Sequence, residues 1–240
     1  RGDEEEFELV FHAKHIAPTP QTGEGPASMA ESKGDGAKQA VDTSQVGEIP
    51  LDLVKRAAEV LAEEFADGPA HVEIFRGERA WRKSAMADLF ERNIHMHLGT
   101  GTIKCLLVPG EGEMEGKMDV GCFFVVEKKD TFPTPLAKYL AMLRVGLWWV
   151  PFQTGFGVVS RLLSFIDWEE AVYKRIAPNH SCNLQRMIVT KGMRRKGVGS
   201  SCVRAALEEA GGQCVLTTQT ESAVSFWESL GFQVVERARY

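Results

Sequence analysis

No CxxC pair occurs among the five cysteines, Cys105, Cys122, Cys182, Cys202 and Cys214. Scattered and odd in number, they spell no disulfide framework, and they predict reduced thiols in a cytoplasmic setting. No apolar run reaches the ~20 residues that a membrane-spanning helix needs. The longest, "VGLWWVPFQTGFGVVS" (145–160), is broken by Pro151 and Gln153. It reads as a loop between two amphipathic helices, and no membrane association is expected. An excess of positive charge is also missing. Residues 1–50 hold ten Asp/Glu against four Lys/Arg, so the net charge of -5 belongs to them, and the other 190 residues carry +1. Near neutrality of the body speaks against a nucleic-acid partner. The first residue is Arg1, not Met, which suits a fragment or a processed chain, and no secretory signal is visible.

Several catalytic signatures are absent as well. Gly192 to Gly197 has the first spacing of a Walker loop, but Val198 stands where its lysine must be. The dinucleotide fingerprint fails because Gly197-Val198-Gly199 is followed by Ser-Ser-Cys. No G-x-S-x-G elbow exists, and the cysteines have no His-paired nucleophile pattern. His95 and His97 sit two apart on a helix-like stretch, so they point away from one another and no metal is expected.

What is present is a patterned body behind a polar tail. Residues 1–50 are rich in Gly, Ser, Ala, Pro, Glu and Lys, and we expect this acidic tail to be disordered, with one domain over 51–240. "LDLVKRAAEVLAEEF" has helical spacing, "HVEIF" (71–75) alternates like a short strand, and "ERAWRKSAMADLFERNIHMHL" reads as a long helix. Its stripe is expected along Trp81, Ala85, Leu89, Ile94 and Leu98. Two strands, "IKCLLV" and "DVGCFFVVEK", look like a hairpin. Residues 134–177 are helical by composition, interrupted near Pro151–Gly157. A β-α-β-α-β run then closes the chain, giving a mixed α/β domain.

The densest positive charge sits on the most flexible backbone, in "KGMRRKGVGSS" (191–201). Apolar strand, glycine loop and helix form an anion cradle. N–H groups at a helix N-terminus have no intrahelical partner and carry partial positive charge, and glycine lets backbone approach a ligand closely. With Arg194, Arg195 and Lys196 added, the fitting guest is a pyrophosphate. A basic surface turn or a nuclear-localisation patch is the plainer alternative.

The spelling R-x-x-G-x-G (194–199), after a strand ending "MIV", resembles the coenzyme A loop of the GNAT acyltransferases. Downstream, "TESAVSFWESLGF" resembles the family's last block, with Ala223, Gly231 and Phe232 at its offsets. The resemblance is sharpest over 183–236. It implies the GNAT fold and an acetyl-CoA-dependent N-acetyltransferase acting on a small-molecule or peptide amine. It implies that pantetheine pairs with the backbone of Met187, Ile188 and Val189 in a gap between two splayed strands. It implies a pyrophosphate on Arg194, Arg195, Lys196, Gly197, Val198, Gly199 and Ser200, with Lys191 or Arg204 near the 3′-phosphate. Trp227 stands where the family commonly has an acidic tyrosine, so it is expected to pack along the pantetheine rather than donate a proton. Candidate bases are Glu169, Glu170 and His180, although each also suits a solvated or structural role. A weak or inactive acyl-CoA-binding module is the alternative function. Trp148, Trp149, Phe152 and Phe156 are candidates for a wall of the acceptor site, or for ordinary packing.

Overall fold

Near-continuous apolar runs such as "GCFFVV" belong in strands covered on both faces. The computed structural model describes residues 7–16, 46–110, 112–129 and 131–240. Among them are seven strands: β1 (Glu8–Ile16), β2 (Val46–Gly47), β3 (Ile103–Pro109), β4 (Met118–Lys128), β5 (Cys182–Val189), β6 (Gly212–Thr218) and β7 (Gln233–Arg239). The α-helices are α1 (Val54–Phe65), α2 (Pro69–Phe75), α3 (Arg79–His97), α4 (Pro135–Arg144), α5 (Val150–Thr154), α6 (Phe156–Ile176), α7 (Val198–Ala210) and α8 (Glu221–Ser229). The strands form one sheet in the order β2-β3-β4-β5-β6-β1-β7. All neighbours are antiparallel except β5 and β6.

Side-chain alternation on β4 divides the core. Cys122, Phe124 and Val126 pack with Cys202 and Val203 of α7 and with Trp227 of α8. Phe123 and Val125 face the other way, against Ala57 and Leu61 of α1 and Met86, Phe90 and Ile94 of α3. On that second face, farther along the sheet, Leu9, Phe11 and Val215 pack under Val172 and Tyr173 of α6. The α/β class and the hairpin of β3 and β4 follow the sequence pattern.

Three expectations need correction. The acidic tail is not wholly outside the fold: β1 lies between β6 and β7 and pairs with both. Leu9 and Phe11 are fully buried, because they pack on Val172 and Tyr173 of α6 while the strand backbone is paired on both edges. Residues 17–45 of the expected tail lie outside the described residues. "HVEIF" is helical rather than extended. Pro69 occupies the first turn of α2, where its fixed φ suits a helix, and Ile74 and Phe75 drop into the core. The buried stripe of α3 also sits one residue away from the expected one as far as Phe90, and meets it at Ile94. Met86, Phe90 and Ile94 are buried together with Arg82, while Trp81 is exposed. Arg82 is held inside by donating Nε to the Ala66 carbonyl at 2.6 Å and Nη1 to that of Gly77 at 3.0 Å, so its charge is solvated by backbone.

Candidate functional site

β5 and β6 pair in parallel at only two positions, Cys182 with Cys214 and Asn183 with Val215. Beyond them the strands part, while β5 stays on β4 as far as Val189. The register of β4 and β5 jumps between Val125↔Gln185 and Phe123↔Ile188, so two β5 residues oppose Phe124. Arg186 carries the resulting bulge, with φ of 53°, and a bulge of this kind bends its strand. The outcome is a wedge closed at the two cysteines and open toward Val189 and Thr218. Among the described residues, the β5 edge facing the wedge has no strand partner after Asn183.

The glycine loop stands at the open end. Lys191–Met193 form one 3-10 turn, Arg195 and Gly197 take positive φ of 60° and 81°, and α7 begins at Val198. No described group accepts a hydrogen bond from the backbone N–H of Arg195 through Ser200, since the helix ladder starts with Ser201 N–H to the Gly197 carbonyl. Gly199 is needed for close approach. A Cβ there would sit 2.9 Å from both Met187 Cε and Val189 Cγ2 of β5, tighter than real contacts allow. A Cβ on Gly197 would meet nothing within 4 Å, so that glycine serves its backbone angle alone. The Arg194 side chain turns away from the loop, pairing with Glu64 of α1 and donating to the Val189 carbonyl.

The wedge's other wall separates the three candidate bases. Glu169 is brought to the open end, where Tyr173 Oη donates to its Oε1 at 3.4 Å and also hydrogen-bonds Thr217 of β6. Burial raises the Glu169 pKa, against the lowering effects of the Thr217 and Tyr173 hydrogen bonds and the Arg186 charge. Glu170 lies on the outer side of α6, ion-paired with Lys174 at 2.8 Å, and that bond lowers its pKa. His180 precedes β5 at the closed end, its Nδ1 2.7 Å from the Ala177 carbonyl. The sequence alone did not single out Tyr173, Thr217 or Arg186. The Arg186 guanidinium makes no hydrogen bond or ion pair with any described residue, yet its charge, after burial, helps to lower the pKa values of His71 and His97.

Trp227 is only 5% exposed, its ring 5.0 Å from Phe226 and 5.3 Å from Phe232. It is the neighbouring Phe226 whose ring approaches Gly199. Trp148, Trp149, Phe152 and Phe156 lie on the segment from the end of α4 into α6 and are all exposed. His95 is exposed and His97 buried, and among the described residues no group of three His, Cys, Asp or Glu side chains can hold a metal ion. No described helix is long and apolar enough to cross a membrane.

Comparison with known proteins agrees with this geometry. Residues 155–234 match the family described as acetyltransferase (GNAT) domain. That range begins at the start of α6 and takes in both edges of the wedge, the glycine loop, α7 and α8. No curated protein matches the chain. Over residues 155–234, a third of its length, the chain is similar to the GNAT acetyltransferase domain, a family whose general work is acyl transfer.

Proposed function

We propose that the chain is an acetyl-CoA-dependent N-acetyltransferase with an amine acceptor. The observation that carries this reading is the wedge between β5 and β6, which opens beside six backbone N–H groups that have no acceptor among the described residues. The residues fit the donor. The β5 edge from Met187 to Val189, which has no strand partner on that side among the described residues, suits a pantetheine arm taken as an extra strand. The N–H groups of Arg195 to Ser200, at the positive end of α7, suit a pyrophosphate. Arg194 stands outside this set, because its N–H meets the Lys191 carbonyl and Glu64 occupies its side chain. Lys191 and Arg204 are exposed on either side of the loop and available to a 3′-phosphate. Bound there, acetyl-CoA supplies an activated acyl group as a thioester.

Glu169 takes the proton that leaves the acceptor's ammonium group. Its raised pKa makes it a stronger base than an ordinary carboxylate, closer to the operating pH. Tyr173 is a positioning residue, which fixes Glu169 against β6 through Thr217. Glu170, tied to Lys174 and made less basic, has no such role. The second reading, an acyl-CoA-binding module with little turnover, draws on Trp227, which puts a sealed indole where the family commonly has a phenol.

The test is calorimetric titration of the full chain with acetyl-CoA, repeated on Gly197→Glu. The substitution places a carboxylate and a strained φ at the loop. Micromolar binding lost in the variant is the expected result. Equal binding by both proteins removes the pyrophosphate from this loop, and no binding by either ends the acyltransferase reading. Binding without turnover over a panel of amines selects the second reading.

A further inference from the structure

The stretch 131–166 contains no Asp or Glu and three cations, Lys138, Arg144 and Arg161. The fold leaves most of its large apolar side chains outside the core. Leu136, Tyr139, Leu140 and Leu143 are exposed on α4 at helical spacing, and α4 buries no residue at all. The rings of Trp148, Trp149, Phe152 and Phe156 follow in a ladder, with centroids 5.3, 5.0 and 5.6 Å apart. Phe152 and Phe156 are 61% and 68% exposed. Leu163 and Ile166 continue the exposed face along α6 at offsets of seven and ten from Phe156. Isolated exposed apolar side chains are ordinary, but a continuous set on three consecutive helices marks a contact surface.

We propose that this face, from α4 through the first half of α6, docks the protein peripherally on an anionic phospholipid surface. The chemistry of the face selects this occupant. Tryptophan and tyrosine combine an apolar body with a polar edge, which suits the headgroup boundary. Lysine and arginine beside them reach lipid phosphates, and no carboxylate in the stretch opposes the approach. Arg144 has no partner among the described residues, and Arg161 is bound only through Nε to the Ile74 carbonyl. Lys138 has one long ion pair, 3.8 Å, with Glu127. Leu140 and Arg144 also line a groove of about 760 Å³ with His95 and Leu98. A second copy is a poor occupant, since two such faces would set cations against cations with no acid between them. Short amphipathic helices of this kind lie in the interface plane. The sequence alone argued against membrane association because it was judged on the length of an apolar run, which bears on spanning and not on surface docking.

The experiment is vesicle co-sedimentation of the full chain with phosphatidylcholine alone and with added phosphatidylserine. It needs no acyl donor, so it stands apart from the proposed catalysis. Expected is stronger partitioning on the anionic vesicles, on the order of 30-fold from the two cations without a carboxylate partner, and weaker binding as salt rises. Phe152→Glu and Leu140→Glu, both at exposed positions and so expected to melt like the unaltered protein, should each abolish it. The proposal is overturned if the unaltered protein stays in solution with both vesicles, or partitions equally on both. It is also overturned if Phe152→Glu leaves binding intact, or if light scattering finds a dimer that Phe152→Glu dissociates.

Discussion

Glu169 and Glu170 are neighbours in sequence with opposite surroundings. One residue of a helix is a rotation of about 100°, which turns Glu169 toward β6 and Glu170 toward Lys174. Their pKa values shift in opposite directions for that reason. Glu169→Gln should therefore lower kcat by about 10²- to 10⁴-fold, while Glu170→Gln leaves it within a factor of two or so. The pH dependence separates a base from a merely structural group. A raised pKa means that Glu169 becomes ionised at a higher pH than a free carboxylate, so the acid limb of kcat/KM lies above the ordinary Glu range. In Glu169→Gln that limb should vanish. A limb that persists in the variant would assign the titration elsewhere. The difference between the two glutamates was legible in the helical spacing, though it was not used: Glu169 falls on the stripe of Leu162, Phe165, Val172 and Ile176, whereas Glu170 falls with Asp167 and Lys174. Packing of that stripe on β1 and β6 turns Glu169 inward.

Two elements, the glycine loop and β1, differ in how far sequence could reveal them. The loop was legible because its physics is local: glycines, charge and the start of a helix lie within eleven residues. β1 was not, because its partners are Gly212–Thr218 and Gln233–Arg239, far along the chain, and a fifty-residue average diluted nine residues. Its role is nevertheless central. Lys14 donates to the Leu230 carbonyl at 2.6 Å, at the C-terminus of α8, where a cation meets the negative end of the helix. Removing residues 1–16 would uncover the edges of β6 and β7 and the floor beneath α6. We predict that the 17–240 protein aggregates or shows no cooperative melting, because exposed strand edges template other chains. Phe11→Ala, which keeps the strand, should cost about 3–5 kcal/mol in urea unfolding. Cooperative melting of 17–240 near the full-chain temperature would show that β1 is dispensable.

At the scale of the whole molecule, acid should be the weak side. His71 and His97 have their pKa values lowered to about 4, chiefly by burial. A histidine whose folded pKa lies below its unfolded value binds more protons when unfolded. Stability is then full above pH 6.5 and falls as pH drops from 6.5 toward 4. His97 alone contributes up to about 3 kcal/mol to that loss. Urea midpoints measured at pH 7 and pH 5 should differ in this direction, and His97→Gln should reduce the difference; a midpoint that rises on acidification would contradict it. The sheet also sets a schedule for synthesis. Val10 pairs with Thr218, 208 positions later. At 5–20 residues per second, β1 leaves the ribosome roughly 10–40 s before its first partner exists. Through that interval a strand that carries Leu9, Val10 and Phe11 has both edges open, and the nascent chain depends on holding it apart from other chains until the last eighth of the protein is made.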